Sequence, residues 1–161
     1  NQGTRPAAVT DGLSAFLAEA DPGDHLALLG YLPPEPGVLT PLRRLRALLR
    51  DRLRVATTLQ LNAPCLNAAD QLQSGGSGKG LYIQIICDDA EDLAVPGEQY
   101  TLGVLKQAQA LASLQALGDH GQRVLRLHLD KKPAGALERL VRIMEKALKA
   151  PARRPSASNA A

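Results

Sequence analysis

The sequence predicts a three-layer α/β sandwich built on a four-stranded, mainly parallel sheet, and three observations carry that reading. Short runs such as His25 to Leu32 and Leu81 to Cys87 are apolar almost throughout instead of alternating. Strands of that kind are buried on both faces, as parallel sheets require. Amphipathic segments with helical spacing separate these runs, and such alternation places helices on both faces of the sheet. Finally, 161 residues, 45% hydrophobic and 22% charged, suffice for one core that buries about two-thirds of the unfolded surface.

Residues 1–9 carry no periodicity and read as a lead-in segment, with a single domain over residues 10–150. Thr10 or Asp11 can cap a first helix whose apolar side is Leu13, Phe16, Leu17 and Ala20, and Pro22-Gly23 stops it. The first strand, His25 to Leu32, ends in the turn-forming Pro33, Pro34, Pro36 and Gly37. Thr40-Pro41, a cap followed by proline, predicts the start of an arginine-rich helix reaching about Arg52. Arg54 to Leu59 follows as a second strand. Asn62 to Gly80 has no periodicity, and a loop of that length inside a compact domain is commonly functional or disordered.

Leu81 to Cys87 is the third strand, with Asp88, Asp89, Glu91 and Asp92 gathered at its end. The stripe Val104, Leu105, Ala108, Leu111, Ala112 and Leu114 predicts a helix from Thr101 to Leu117, with Gly118 in the left-handed position beyond it. Val124 to Leu129 is the fourth strand. After Pro133 a last helix carries Leu137, Leu140, Val141, Met144 and Leu148 on one side. The tail, residues 151–161, is small, polar and proline-bearing, and is expected to be disordered.

Composition excludes several functions. No apolar run approaches the roughly 20 residues of a membrane span, so a soluble, cytoplasmic protein without membrane partners is expected. The chain begins at Asn1 without the segments of a signal peptide, which fits a piece of a longer polypeptide. Cys65 and Cys87 lack zinc-site spacing, and His25, His120 and His128 are scattered, so no metal or other cofactor is expected. The net charge of +3 conceals a local run, Arg43, Arg44, Arg46, Arg50, Arg52 and Arg54. Such a run can neutralise phosphates, but Leu42, Leu45, Leu48, Leu49 and Leu53 interleave with it, as on the solvated face of an amphipathic helix. Phe16, Tyr31, Tyr82 and Tyr100 are too few to stack the bases of a single strand, so a nucleic-acid partner is not expected.

From Gln71 to Leu129 the chain resembles the C-terminal end of fused transaldolase/glucose-6-phosphate isomerase proteins. The isoleucine-rich strand, Pro96-Gly97-Glu98, Tyr100-Thr101, Gly103, the Ala108 to Leu111 run and Arg123 to Leu129 carry the match, which extends more weakly over Thr10 to Leu148. The resemblance implies a place in sugar-phosphate metabolism, in glycolysis or the pentose phosphate pathway, beside upstream isomerase and transaldolase domains of the same polypeptide. The family's polar motif is replaced. Its His-Ser-Thr-Gly falls on Asn67, Ala68, Ala69 and Asp70, its His-Lys on Gln73 and Ser74, and its Gly-Asp on Ala112 and Ser113.

Isomerising an aldose to a ketose needs a base to move a proton between carbons, and glutamine and serine supply none near neutral pH. No catalytic residue is therefore assigned, and the isolated domain is expected to be inactive. The segment Gly75 to Gly80 is not a P-loop, because Gln73 stands where the first glycine belongs and Gly80 follows Lys79 where Ser or Thr is required. Its amides and Lys79 could still wrap a phosphosugar or another anion. In open parallel sheets ligands sit beyond the carboxyl ends of the strands, where Tyr31, Thr57, Thr58, Asp88, Asp89 and Asp130 are expected. The ligand-binding candidates are Gln73, Ser74, Gly75, Gly76, Gly78, Lys79, Thr57, Thr58 and Asp88. Three functions compete: a non-catalytic C-terminal accessory domain, an enzyme domain that holds a phosphosugar in the glycine loop, and a binder of nucleic acid or an acidic partner through Arg43 to Arg54.

Overall fold

A computed structural model describes residues 6–62 and 80–149. The elements in chain order are α1 (Pro6–Leu17), β1 (His25–Tyr31), α2 (Pro36–Leu53), β2 (Ala56–Leu61), β3 (Gly80–Cys87), α3 (Leu102–Asp119), β4 (Arg123–Leu129) and α4 (Pro133–Ala147). The four strands form one all-parallel sheet in the order β2-β1-β3-β4. The central strands explain the continuous apolar runs: Leu26 to Tyr31, Gly30 included, and every residue of β3 are buried.

The sheet separates two unequal helical layers. Leu26, Leu28, Leu81, Ile83, Ile85 and Cys87 face α1, α2 and α4, which meet them with Leu13, Leu17, Leu42, Leu45, Leu49, Leu137, Leu140 and Met144. Each fully buried leucine there contributes about 1.5–3 kcal/mol of transfer free energy, so this layer holds most of the core. On the other face Ala27, Leu29 and Tyr82 meet Leu117 of α3, and Tyr31 and Ile86 meet Ala110. The fold is a three-layer α/β sandwich with three described helices on one side and one on the other.

Several boundaries move from their expected places. Helix α1 begins at Pro6, four residues before the Thr10 cap, inside the expected lead-in. Helix α2 begins at Pro36: that proline fills a first-turn position where no N–H is missed, and the amides of Val38 and Leu39 both donate to the Glu35 carbonyl. Pro41 consequently lies inside the helix, buried, and cannot supply the N–H that would bond Gly37. Arg54 closes α2 in a left-handed conformation (φ 59°), its amide donating to the Arg50 carbonyl, so β2 starts at Ala56 and runs on to Leu61. Gly118 stays helical. Gly121 (φ 68°) takes the left-handed position, with the Gln122 amide reaching back to the Leu117 carbonyl.

In α3 the stripe that marks the helix is not the side it buries. Its buried side is Ala110, Ser113 and Leu117, whereas Val104 (55% exposed), Leu105 (40%) and Leu111 (46%) of the expected stripe face outward. Ala108 and Ala112 are exposed as well. The cause is Gln84, wholly buried on β3, whose side-chain Nε2 donates to the Ala110 carbonyl at 2.8 Å. A side chain can reach a helix backbone only if the helix comes close, and small residues, Ala110 and Ser113, permit that approach.

Candidate functional site

In this strand order the chain leaves β1 toward one edge and β3 toward the other, which opens a crevice between their carboxyl ends. Tyr31, Leu32 and Pro33 form one wall; Asp89, Glu91, Asp92 and Leu93, beyond β3, form another; Leu102, Leu105, Lys106 and Gln109 of α3 close it, around a cavity of about 400 Å³. Asn62 borders the same cavity and fixes its β1 wall. Its Oδ1 accepts from the Leu32 amide (3.2 Å), its Nδ2 donates to the Leu32 carbonyl (3.1 Å), and its own amide donates to the Gly30 carbonyl. Asparagine suits the position, because its φ of 47° is left-handed and its short polar side chain tolerates that region.

The α3 wall is tied to the acidic loop. Thr101 caps the helix, accepting from the Val104 amide, and its hydroxyl donates to Asp92 at 2.6 Å. The Gly103 amide donates to the other oxygen of Asp92 at 2.7 Å. The Thr101 hydroxyl first, and the Gly103 amide second, hold the Asp92 carboxyl below its ordinary pKa. A Cβ on Gly103 would stand 2.8 Å from that carboxylate, so any other residue would push the Asp92 side chain out of its present place. Lys106 donates both to the Cys87 carbonyl (3.1 Å) and to Asp89 (2.5 Å), which joins α3 to the end of β3. Burial pushes the Cys87 thiol above its ordinary pKa, so Cys87 is a poor nucleophile.

Two further hollows flank this crevice, one of about 430 Å³ bordered by Asp88, Asp92, Gln107 and Lys131, another of about 450 Å³ bordered by Glu35, Asp88, Glu91 and Lys132. Their carboxylates are largely committed. Asp88 meets His128 at 2.9 Å, Asp130 meets Arg139 at 3.1 Å and also accepts from the Lys132 amide, and Asp89 holds Lys106. Glu91 and Glu98 are exposed. The mouth of the crevice is acidic, and carboxylates repel a phosphate and favour a cation or hydroxyl groups. Among the described residues no group of three His, Cys, Asp or Glu side chains could hold a metal ion.

Of the residues expected at this edge, the structure brings together Tyr31, Asp88, Asp89 and Asp130. It does not bring Thr57 and Thr58. They pair with Leu26 and Ala27, near the start of β2 and away from the crevice, because the left-handed turn at Arg54 delays the strand. Gln73, Ser74, Gly75, Gly76, Gly78 and Lys79 lie outside the described residues, as do Cys65 and the tail. At β3's first residue, the Gly80 amide donates to Gln122 Oε1 at 2.7 Å. The arginines from Arg43 to Arg54 are mostly exposed, and Arg44 pairs with Glu138 at 3.0 Å. Sequence reasoning missed Asn62 and Lys106. Lys106 leaves a trace, since only it and Asp119 are charged in the whole of α3.

The opposite edge holds a second cluster, in which Arg123 pairs with Asp24 at 2.7 Å and donates to the Glu19 carbonyl. Burial pushes Asp24 up, but the Asp21 amide and the Arg123 guanidinium outweigh it and leave the carboxyl below its ordinary pKa. Beside it His25 Nε2 lies 3.0 Å from the Tyr82 hydroxyl, the two rings edge to face, and burial holds the imidazole below its ordinary pKa. No helix among the described residues is long and apolar enough to cross a membrane. No protein-family model matches this chain, and no curated protein matches it.

Proposed function

We propose that this is a C-terminal accessory domain of a cytoplasmic transaldolase/glucose-6-phosphate isomerase-like protein of sugar-phosphate metabolism, non-catalytic by itself, which docks on upstream domains of the same polypeptide. The observation that carries this reading is the large apolar side chains left exposed on α3 and in the loop before it: Leu93 (56% exposed), Leu102 (50%), Val104 (55%), Leu105 and Leu111, which the domain does not use to fold. Clustered apolar surface is how domains present an interface, and Leu93, Leu102 and Leu105 cluster around one cavity. The residues of the family resemblance, Pro96-Gly97-Glu98, Tyr100-Thr101, Gly103 and Ala108 to Leu111, lie in the same loop and helix. The engagement of Asp89 by Lys106, of Asp92 by Thr101 and of Asp130 by Arg139 supports the non-catalytic half, since these carboxylates hold the fold's own donors.

Two measurements test this. A coupled assay should find no interconversion of glucose 6-phosphate and fructose 6-phosphate, and no transaldolase turnover, by the purified domain; turnover that tracks the domain through purification rejects the non-catalytic half. In the full-length polypeptide, Leu111→Asp should expose this domain to limited proteolysis while leaving its own melting temperature unchanged. An unchanged cleavage pattern rejects the docking half. The phosphosugar alternative gains no support from the crevice, whose described mouth carries more carboxylates than lysines.

A further inference from the structure

We propose that two copies of this chain pair along β4, antiparallel and centred on Leu127, so that their four-stranded sheets join into one. The inference goes beyond the docking reading and uses a surface away from Leu93, Leu102 and Leu105. Strand β4 ends the sheet and, among the described residues, pairs only with β3. Its other edge is a row of backbone donors and acceptors seven residues long, and such a row is a template for a further strand. Apolar side chains accompany it. Leu125, Leu127 and Leu129 are only half-buried where they pack on the core under α1 and α4, and a hollow of about 260 Å³ bordered by Val9, Leu140 and Ile143 lies beside Leu127 and Leu129.

The charge pattern of the strand names a second copy as the partner. Alternate residues of β4 face opposite sides of the sheet, and residues directly opposite in an antiparallel pair share a side. Setting Leu127 against itself therefore brings Leu125 against Leu129 on one side and Arg126 against His128 on the other. Among the described residues Arg126 donates to Gln107 at 3.4 Å and pairs with no carboxylate. Across the two-fold axis it meets Asp88, which lies 2.9 Å from His128; a histidine is charged only when protonated, so Asp88 keeps a negative charge for a guanidinium to neutralise. Moving the pairing by two residues one way opposes Arg126 with itself, and the other way sets Leu125 against Lys131, beyond the strand. The other edge strand, β2, carries no charged residue that could select a register in this way. A strand pair with these flanks is a small interface, so association is expected at micromolar concentrations.

Sedimentation equilibrium of the 161-residue chain, loaded from about 1 to about 100 µM, tests the pairing. A species of twice the 17.1 kDa chain mass should grow with concentration. Arg126→Glu should raise the dissociation constant by more than about tenfold, and Arg126→Glu combined with Asp88→Arg should restore it, which a general loss of folding could not do. Register is read by cross-linking: in a Cys65→Ser background, Leu127→Cys should join two chains under mild oxidation and Leu125→Cys should not. A chain that stays monomeric at the highest loading overturns the proposal. So does a dimer that Arg126→Glu leaves intact, or one in which Leu125→Cys cross-links as readily as Leu127→Cys. Should Arg126→Glu fail to fold, the cross-linking pair decides by itself. Neither result touches the docking reading, which is judged by proteolysis of the full-length polypeptide.

Discussion

Helices α3 and α4 are comparable in length and both rich in leucine and alanine, yet they use their apolar residues in opposite ways. In α4, Leu137, Leu140, Val141 and Met144 are buried against the sheet or its neighbours, and the charged residues Arg139, Arg142 and Lys146 face outward. In α3 the sheet receives only Ala110, Ser113 and Leu117, and larger apolar side chains remain outside. A helix whose apolar content exceeds what its own fold buries leaves large side chains at the surface. The difference separates apolar residues that build the fold from apolar residues that the described domain leaves exposed.

The sharpest way to break the comparison is Leu140→Asp. Placing an unpaired carboxylate at a site 5% exposed costs several kcal/mol, comparable with a total stability of about 5–15 kcal/mol, so the variant should fail to fold by circular dichroism. A cooperative melt near the parent temperature would make α4 peripheral and the comparison empty. Next in size is Asn62, which borders the crevice without touching α3's core side. Asn62→Ala loses both bonds to Leu32 and strains a positive φ, for a loss of about 1–2 kcal/mol by denaturant unfolding. Asn62→Gly relieves the strain and should lose less; equal losses would mean that the backbone conformation costs nothing here.

A smaller effect is expected at His25, on the side of the sheet that α3 shares. Burial depresses its folded pKa, so between that value and its ordinary value of about 6.5 the unfolded chain binds more protons. Stability is therefore fully present above the ordinary value and falls as pH drops through the folded one. His25→Phe keeps the ring against Tyr82 and should flatten that part of the profile in melts from about pH 7.5 to 5. A parent profile already flat there rejects the assignment. The smallest change is at Leu111, where aspartate should alter the domain's stability by less than about 0.5 kcal/mol. A large loss would mean that the outer face of α3 belongs to the fold after all.

Those contrasts also mark what the sequence could reveal. The strands β1 and β3 were legible because burial on both faces leaves no polar alternation, and α4 because its partners all accept large side chains. The orientation of α3 was not, because it turns on Gln84 grasping the Ala110 carbonyl, a contact between elements far apart in the chain. Local periodicity ranks faces by size and apolarity, and here the better-ranked face is outside. The same distance hid Asn62, whose partner is Leu32, and Lys106, whose partner is Asp89; each reads locally as an ordinary loop or helix residue. Asp88 and Asp89 were found because a carboxylate run at a strand's end needs no partner to be seen.

The pairing of β1 with β3 has a consequence for how the chain acquires its structure. Leu26 to Tyr31 find one of their two sheet neighbours only in Leu81 to Ile86, after α2, β2 and the segment beyond Asn62 have been made. Joining the two middle strands closes a long stretch of chain before any contact rewards it, which slows folding relative to a helical bundle of the same size. Emerging from a ribosome, β1 waits with the backbone N–H and C=O groups of that edge unpaired until β3 arrives. The first half of the domain is thus the interval in which self-association competes with folding, and a pause in translation between β2 and β3 would lengthen it.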